Sequence, residues 1–122
     1  PRYFEFLQAV TEEWFNQSLK LDYAELIMGQ RRGLPTAHTE CDFKKPCRLG
    51  ETIDFTLYLE RIGGASMRTH YVGRVNGEHR MEARSDLVVI DLQNGRPIQI
   101  DGDLRDLLEA YKAGCEAEKK GA

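Results

Sequence analysis

The chain has 122 residues, 41% of them hydrophobic and 30% charged, which suits one domain around a single core. Seventeen basic and twenty acidic residues give a formal net charge of −3, without the basic excess of a nucleic-acid-binding surface. No apolar run approaches the roughly 20 residues of a membrane span and no basic, apolar leader opens the chain, so a cytoplasmic protein with no membrane partner is expected.

Tyr3, Phe6, Leu7, Val10, Trp14 and Phe15 fall at helical spacing, and Pro1 suits a first helical turn, so a long buried helix opens the chain. Asp22-Tyr23-Ala24-Glu25 resembles a capping box and predicts a short second helix to about Met28, broken by Gly29 to Gly33. From Thr36 the period is two. Thr36 to Phe43 alternates, with Ala37, Thr39, Cys41 and Phe43 on one face and His38, Glu40 and Asp42 on the other. A basic loop, residues 44–50, leads to a strand from Thr52 to Arg61, a turn at Gly63-Gly64 and a strand from Ser66 to Val75. Asn76-Gly77 is a strong hairpin signal before a strand from Arg80 to Asp91. A short extended segment, Arg96 to Ile100, precedes a terminal helix capped by Asp103, with Leu104, Leu107, Leu108, Tyr111 and Cys115 as its stripe and a frayed end from Glu116. An apolar helix and an antiparallel sheet with one face to cover pack most economically with the sheet curled round the helix. The fold class is α+β.

The cysteines, Cys41, Cys47 and Cys115, are odd in number and form no Cys-x-x-Cys, and no histidine pair has ligand spacing. Neither a disulfide framework nor a metal site is expected, and the thiols are read as buried or half-buried packing.

The order of these elements resembles the hot-dog fold of the 4-hydroxybenzoyl-CoA thioesterase group, in which the sheet wraps a central helix. The resemblance rests on Pro-Arg-Tyr-Phe-Glu-Phe-Leu at 1–7, Leu-Pro-Thr-Ala-His-Thr-Glu-Cys-Asp-Phe at 34–43, Pro-Cys-Arg-Leu-Gly-Glu-Thr at 46–52 and Arg-Ile-Gly-Gly-Ala-Ser at 61–66. It implies hydrolysis of an acyl-CoA, aromatic such as hydroxybenzoyl-CoA or short-chain, by a homodimer or homotetramer with sites at the subunit interface. It implies no cofactor. The family's first strand ends in an Asp-x-x-Gly motif, whose aspartate activates water or attacks directly. Both strand and aspartate are expected upstream of Pro1, so residues 1–122 form a single hot-dog domain with no catalytic residue in the chain itself.

By the same matching, Tyr3, Gln8, Thr36 and His38 face the acyl pocket, and an amide at Gln8 can hydrogen-bond a polar acyl substituent but cannot act as a base. The alternative is that Tyr3 is core, Gln8 a solvated polar residue and His38 an ordinary strand histidine. Arg61, Ser66, Arg68 and Arg96 are the candidates for the CoA phosphates, since guanidinium forks suit phosphate oxygens; otherwise they are a solvated strand edge. Lys44, Lys45 and Arg48 form a second basic cluster. Cys41 and Cys47 have no partners for a nucleophilic triad with His38, and Glu12 and Glu13, adjacent on a helix, point apart. Three other functions stay open: a non-hydrolytic module binding an acyl-CoA or a small apolar ligand, a self-associating α+β domain, and a hot-dog dehydratase. The last is disfavoured because residues 1–20 hold no histidine.

Overall fold

A computed structural model describes residues 2–18, 32–45 and 48–121. The opening helix, α1 (Arg2–Glu13), widens into a π-helical turn at Trp14–Ser18. Leu7, Thr11 and Trp14, spaced four and three residues apart, form its buried stripe. The predicted helix from Asp22 lies outside the described residues, as does Cys47.

Four strands form the main sheet: β2 (Thr36–Phe43), β3 (Asp54–Ile62), β4 (Ser66–Val75) and β5 (Glu78–Val88), all antiparallel, in the order β2-β5-β4-β3. Two residues on either side, β1 (Arg32–Gly33) and β6 (Ile90–Asp91), pair separately. Asn76 and Gly77 both take positive φ, 51° and 81°, so the predicted hairpin closes through the primed turn whose twist matches its strands. The strand predicted from Arg80 to Asp91 is therefore two pieces. It stops at Val88, and the backbone of Val89 instead bonds to Ala65 and Ile98.

The final helix, α2 (Gly102–Gly121), starts one residue before Asp103, whose carboxylate sits in the first turn where the helix dipole favours it. It also continues past the predicted frayed end. Leu108 is wholly buried, with Leu104, Tyr111 and Cys115 on the same stripe, and the Tyr111 hydroxyl donates to the Leu57 carbonyl at 2.5 Å. Trp14 meets Tyr111 edge-on at 5.3 Å, so α1 and α2 share one face of the sheet.

That face carries Leu57 and Leu59 of β3, Met67 and Tyr71 of β4, and Met81, Ala83 and Leu87 of β5, all buried. The architecture is the expected α+β one, an antiparallel sheet packed round a long helix. One expectation fails at β2. Cys41 and Phe43 stand opposite buried Ala83 and Met81, yet both are exposed, because β2 is an edge strand and neither helix covers it.

Gly73 gives β4 its closest approach to its neighbours. A Cβ there would lie 2.7 Å from Met81 Cγ, 3.1 Å from Phe55 Cε1 and 3.2 Å from Ile53 Cγ2. Gly73→Ala is expected to lower stability by about 1–3 kcal/mol in urea unfolding, the cost of overpacking a well-filled core.

Candidate functional site

Where α1 passes over β5 and the start of β2, the two surfaces do not close. A cleft of about 220 Å³ remains, lined by Leu7, Gln8 and Thr11 of α1, Leu34, Pro35, Thr36 and Thr39, and Tyr71, Ser85 and Leu87 of the sheet. Leucines wall it and hydroxyls floor it. Its size compares with a cavity of roughly 150 Å³ that holds a benzene ring.

The floor is connected. Thr11 Oγ1 lies 2.8 Å from the Leu7 carbonyl and 2.7 Å from the Tyr71 hydroxyl. Thr39 and Ser85 hydroxyls are 3.1 Å apart, and Thr69 donates to the Ser85 carbonyl at 3.3 Å. Burying hydroxyls is costly unless they are bonded, and Thr11, Thr69, Tyr71 and Ser85 are all buried on a face otherwise given to leucine and methionine.

Of the residues expected at an acyl pocket, Gln8 and Thr36 line this cleft and His38 does not. Strict alternation would keep Thr36 and His38 together. Instead a bulge at Ala37 sets Thr36 opposite Leu87 and Thr39 opposite Ser85 on the helix face, and turns His38 opposite Asp86 on the outer face. There His38 Nε2 lies 2.9 Å from Glu40 Oε1, both exposed. The side chain of Tyr3, in the first turn of α1, lies outside the described residues. Sequence reasoning missed Thr11, Thr39, Tyr71 and Ser85. The available signal was small hydroxyl residues at inward positions of an apolar stripe and of apolar strands.

The four candidate phosphate anchors divide. Arg61 and Arg68 stand directly opposite each other on β3 and β4, in a cross-strand row that continues to Asp86 and His38 on the outer face. Arg68 is 3.9 Å from Asp86, too far for a hydrogen bond. Ser66 starts β4 and accepts the Gly63 N–H on its carbonyl at 2.7 Å. Arg96 is exposed in the loop after β6, its N–H donating to Asn94 Oδ1. Lys45, Arg48 and Arg80 gather at the far end of the sheet, where Arg80 is bidentate to Glu51 at 3.0 and 3.2 Å. Among the described residues no cluster of histidine, cysteine and carboxylates has metal-binding geometry, and no helix is long and apolar enough to cross a membrane.

With this geometry stands a family match. The model of the thioesterase-like superfamily matches residues 1–108. The chain belongs to the thioesterase-like superfamily. Solved structures agree with this thioesterase-like fold. The DHNA-CoA thioesterase of Staphylococcus aureus aligns with a TM-score of 0.81 at 19% identity, over 98% of this chain and 80% of that one. A thioesterase of Thermus thermophilus, solved with coenzyme A and zinc, gives 0.71 at 21% identity over 91% and 78%. A probable thioesterase of Escherichia coli gives 0.74 at 21% identity over 90% and 82%. No curated protein matches the chain.

Behind the site, the outer face of this thioesterase-like sheet is an ionic lattice. His70 is buried there beside Tyr58, its Nε2 bonded to Glu82 and its Nδ1 3.8 Å from Glu60, with Arg84 bridging Glu60 at 2.7 Å. Burial pushes the His70 imidazole below its ordinary 6.5; the bond to Glu82 opposes this and the Arg84 charge adds to it. The folded state thus takes up its proton later than the unfolded chain as pH falls, so stability is full above about 6.5 and is lost progressively below it. Urea midpoints measured from pH 7.5 to 5 should fall, and less steeply in His70→Gln.

Proposed function

We propose that this thioesterase-like domain hydrolyses an acyl-CoA to the free acid and CoA, holding the acyl group in the cleft between α1 and β5. The cleft itself carries the reading: it is apolar along its walls, polar at its floor and open at its rim, as an acyl pocket must be. Hydrolysis also needs an activated water and donors for the oxyanion. This reading assigns the activating carboxylate to an aspartate preceding Pro1, next to the first turn of α1, where the helix dipole favours developing negative charge. The described cleft residues supply binding groups, and Gln8 hydrogen-bonds the acyl moiety.

The CoA phosphates are assigned to Arg61 and Arg68, with Ser66 and Arg96 nearer the periphery. Two guanidiniums directly opposite each other repel unless an anion lies between them. Because that pair is on the face away from the cleft, the reading requires CoA held by one copy to reach the cleft of another. Exposed Cys41 and Phe43 on the edge strand β2 are the apolar surface such a homo-oligomer would cover. Phe43→Asp should then shift the protein to a smaller species in gel filtration, and an unchanged elution volume would remove β2 from the interface.

Thiol release from a panel of aromatic and short-chain acyl-CoAs tests the activity on the full-length protein. Arg61→Ala and Arg68→Ala are each expected to raise KM about tenfold for CoA esters, with no change for the same acyl group on a short thiol lacking the nucleotide. CoA binding without thiol release from any ester would make the domain a non-hydrolytic acyl-CoA module instead.

A further inference from the structure

We infer that two copies of the chain pair edge to edge through β2, about a twofold axis at Thr39, and that Phe43 of each copy then forms a wall of the other copy's cleft. This rests on the reading above for the existence of a second copy. It adds the register of the pairing and a residue that shapes the acyl site in trans.

The two edges of the sheet differ. At β3, α2 lies against the strand, with the Tyr111 hydroxyl donating to the Leu57 carbonyl. β2 is bonded on one side only among the described residues, to β5, and seven of its eight residues are exposed, Cys41 and Phe43 on the helix face included. An open edge of that length is a template for another strand.

Side-chain direction limits the register. Directly opposite residues of an antiparallel pair share a face. A pairing centred between two residues therefore sets Cys41 opposite His38, Glu40 or Asp42 of the partner subunit, apolar against charged. A pairing centred on one residue keeps both copies' helices on one side of the continued sheet. Charge then chooses the residue. Centred on Glu40 or Asp42, a carboxylate meets its own copy, and centred on Cys41, Glu40 meets the partner's Asp42 twice. Centred on His38, two imidazoles meet, and centred on Ala37 or Phe43 the pairing runs off the strand. Centred on Thr39, His38 stands opposite the partner's Glu40 and Glu40 opposite the partner's His38, the two groups that already associate at 2.9 Å within one strand. That register alone engages the strand with complementary pairs and no like ones.

Counting outward from Thr39 along the helix face, with one residue allowed for the bulge at Ala37, brings Phe43 against the partner's Leu34 and the partner's Pro35. Leu34, Pro35 and Thr36 line the cleft, and Pro35 and Thr36 are exposed, so the cleft opens on this side. Phe43, 41% exposed in the single chain, lays its ring over that opening. The pairing leaves Arg61 and Arg68 of both copies on the outer side, so the CoA assignment draws on a further copy and is tested separately.

The test uses engineered cysteines in the full-length protein, with Cys41→Ser as parent. His38→Cys and Glu40→Cys, both at exposed outward positions, are co-expressed and oxidised. Opposite residues of paired strands lie within disulfide reach. The co-expressed pair is expected to give a covalent dimer on a non-reducing gel, and the parent and either variant alone to give none. No covalent dimer from the pair, or one formed through Cys41 in the wild type, overturns the register. A monomer in gel filtration overturns the pairing itself. In the linked dimer, which cannot dissociate, Phe43→Ala is expected to weaken calorimetric binding of a non-hydrolysable acyl-CoA thioether about tenfold and to leave binding of free CoA unchanged. Undiminished thioether affinity overturns the role of Phe43. Neither readout depends on turnover, so an absence of thiol release removes the hydrolase reading and leaves this inference standing.

Discussion

Docking of α1 against the inner face of the sheet is the interaction on which everything else depends. Leu7 and Trp14 are driven there by burial, and each fully buried side chain of this kind contributes on the order of 1.5–3 kcal/mol. Thr11 lies between them on the same stripe, so the same docking carries its hydroxyl into the core and onto Tyr71. The hydrophobic contact sets the helix position, and the hydroxyl pair limits where on the sheet that position can be. The cleft exists because the contact is incomplete: towards β2 the small side chains Thr39 and Ser85 leave space beneath α1.

The two faces of the sheet therefore do different work. Inward, β4 and β5 present Met67, Thr69, Tyr71, Met81, Ala83, Ser85 and Leu87, a core with a polar strip. Outward, the same strands present Arg68, His70, Glu82, Arg84 and Asp86, with charge alternating along β5 and its carboxylates paired with Arg68, His70 and Arg84. Half-exposed pairs of this kind contribute little each, but as a network around a buried histidine they tie the fold to neutral pH. The division also fixes the functional problem. On the proposed function the acyl group enters on the helix side while the paired Arg61 and Arg68 lie on the other, which is why that proposal calls for a second copy.

Much of this was legible in the sequence. The alternation from Asp54 to Val88, with Asn76-Gly77 between its last two strands, is a local signal, and the helical spacing of Leu7, Val10 and Trp14 is another; in both, the residue pattern directly encodes the buried face. The signals fail where the answer depends on partners distant in the chain. The two-residue pairing of Arg32–Gly33 with Ile90–Asp91 has no period to read. The bulge at Ala37 reverses the side of every residue before it, so His38 and Thr36 part company although they alternate in step. The hydroxyl floor comes from Thr11, Thr39, Tyr71 and Ser85, four elements that only the folded sheet brings together. Cys41, read as packing, and Phe43 on the same face are both exposed, since alternation marks an apolar face without saying which body covers it.

A crystal structure of the full-length protein with a non-hydrolysable acyl-CoA thioether tests the central claim most directly. The account predicts the acyl group seated between Leu7 and Leu87, beside Gln8 and Tyr71, with α1 unmoved on the sheet. An acyl group lodged anywhere else, with that cleft vacant, would contradict it.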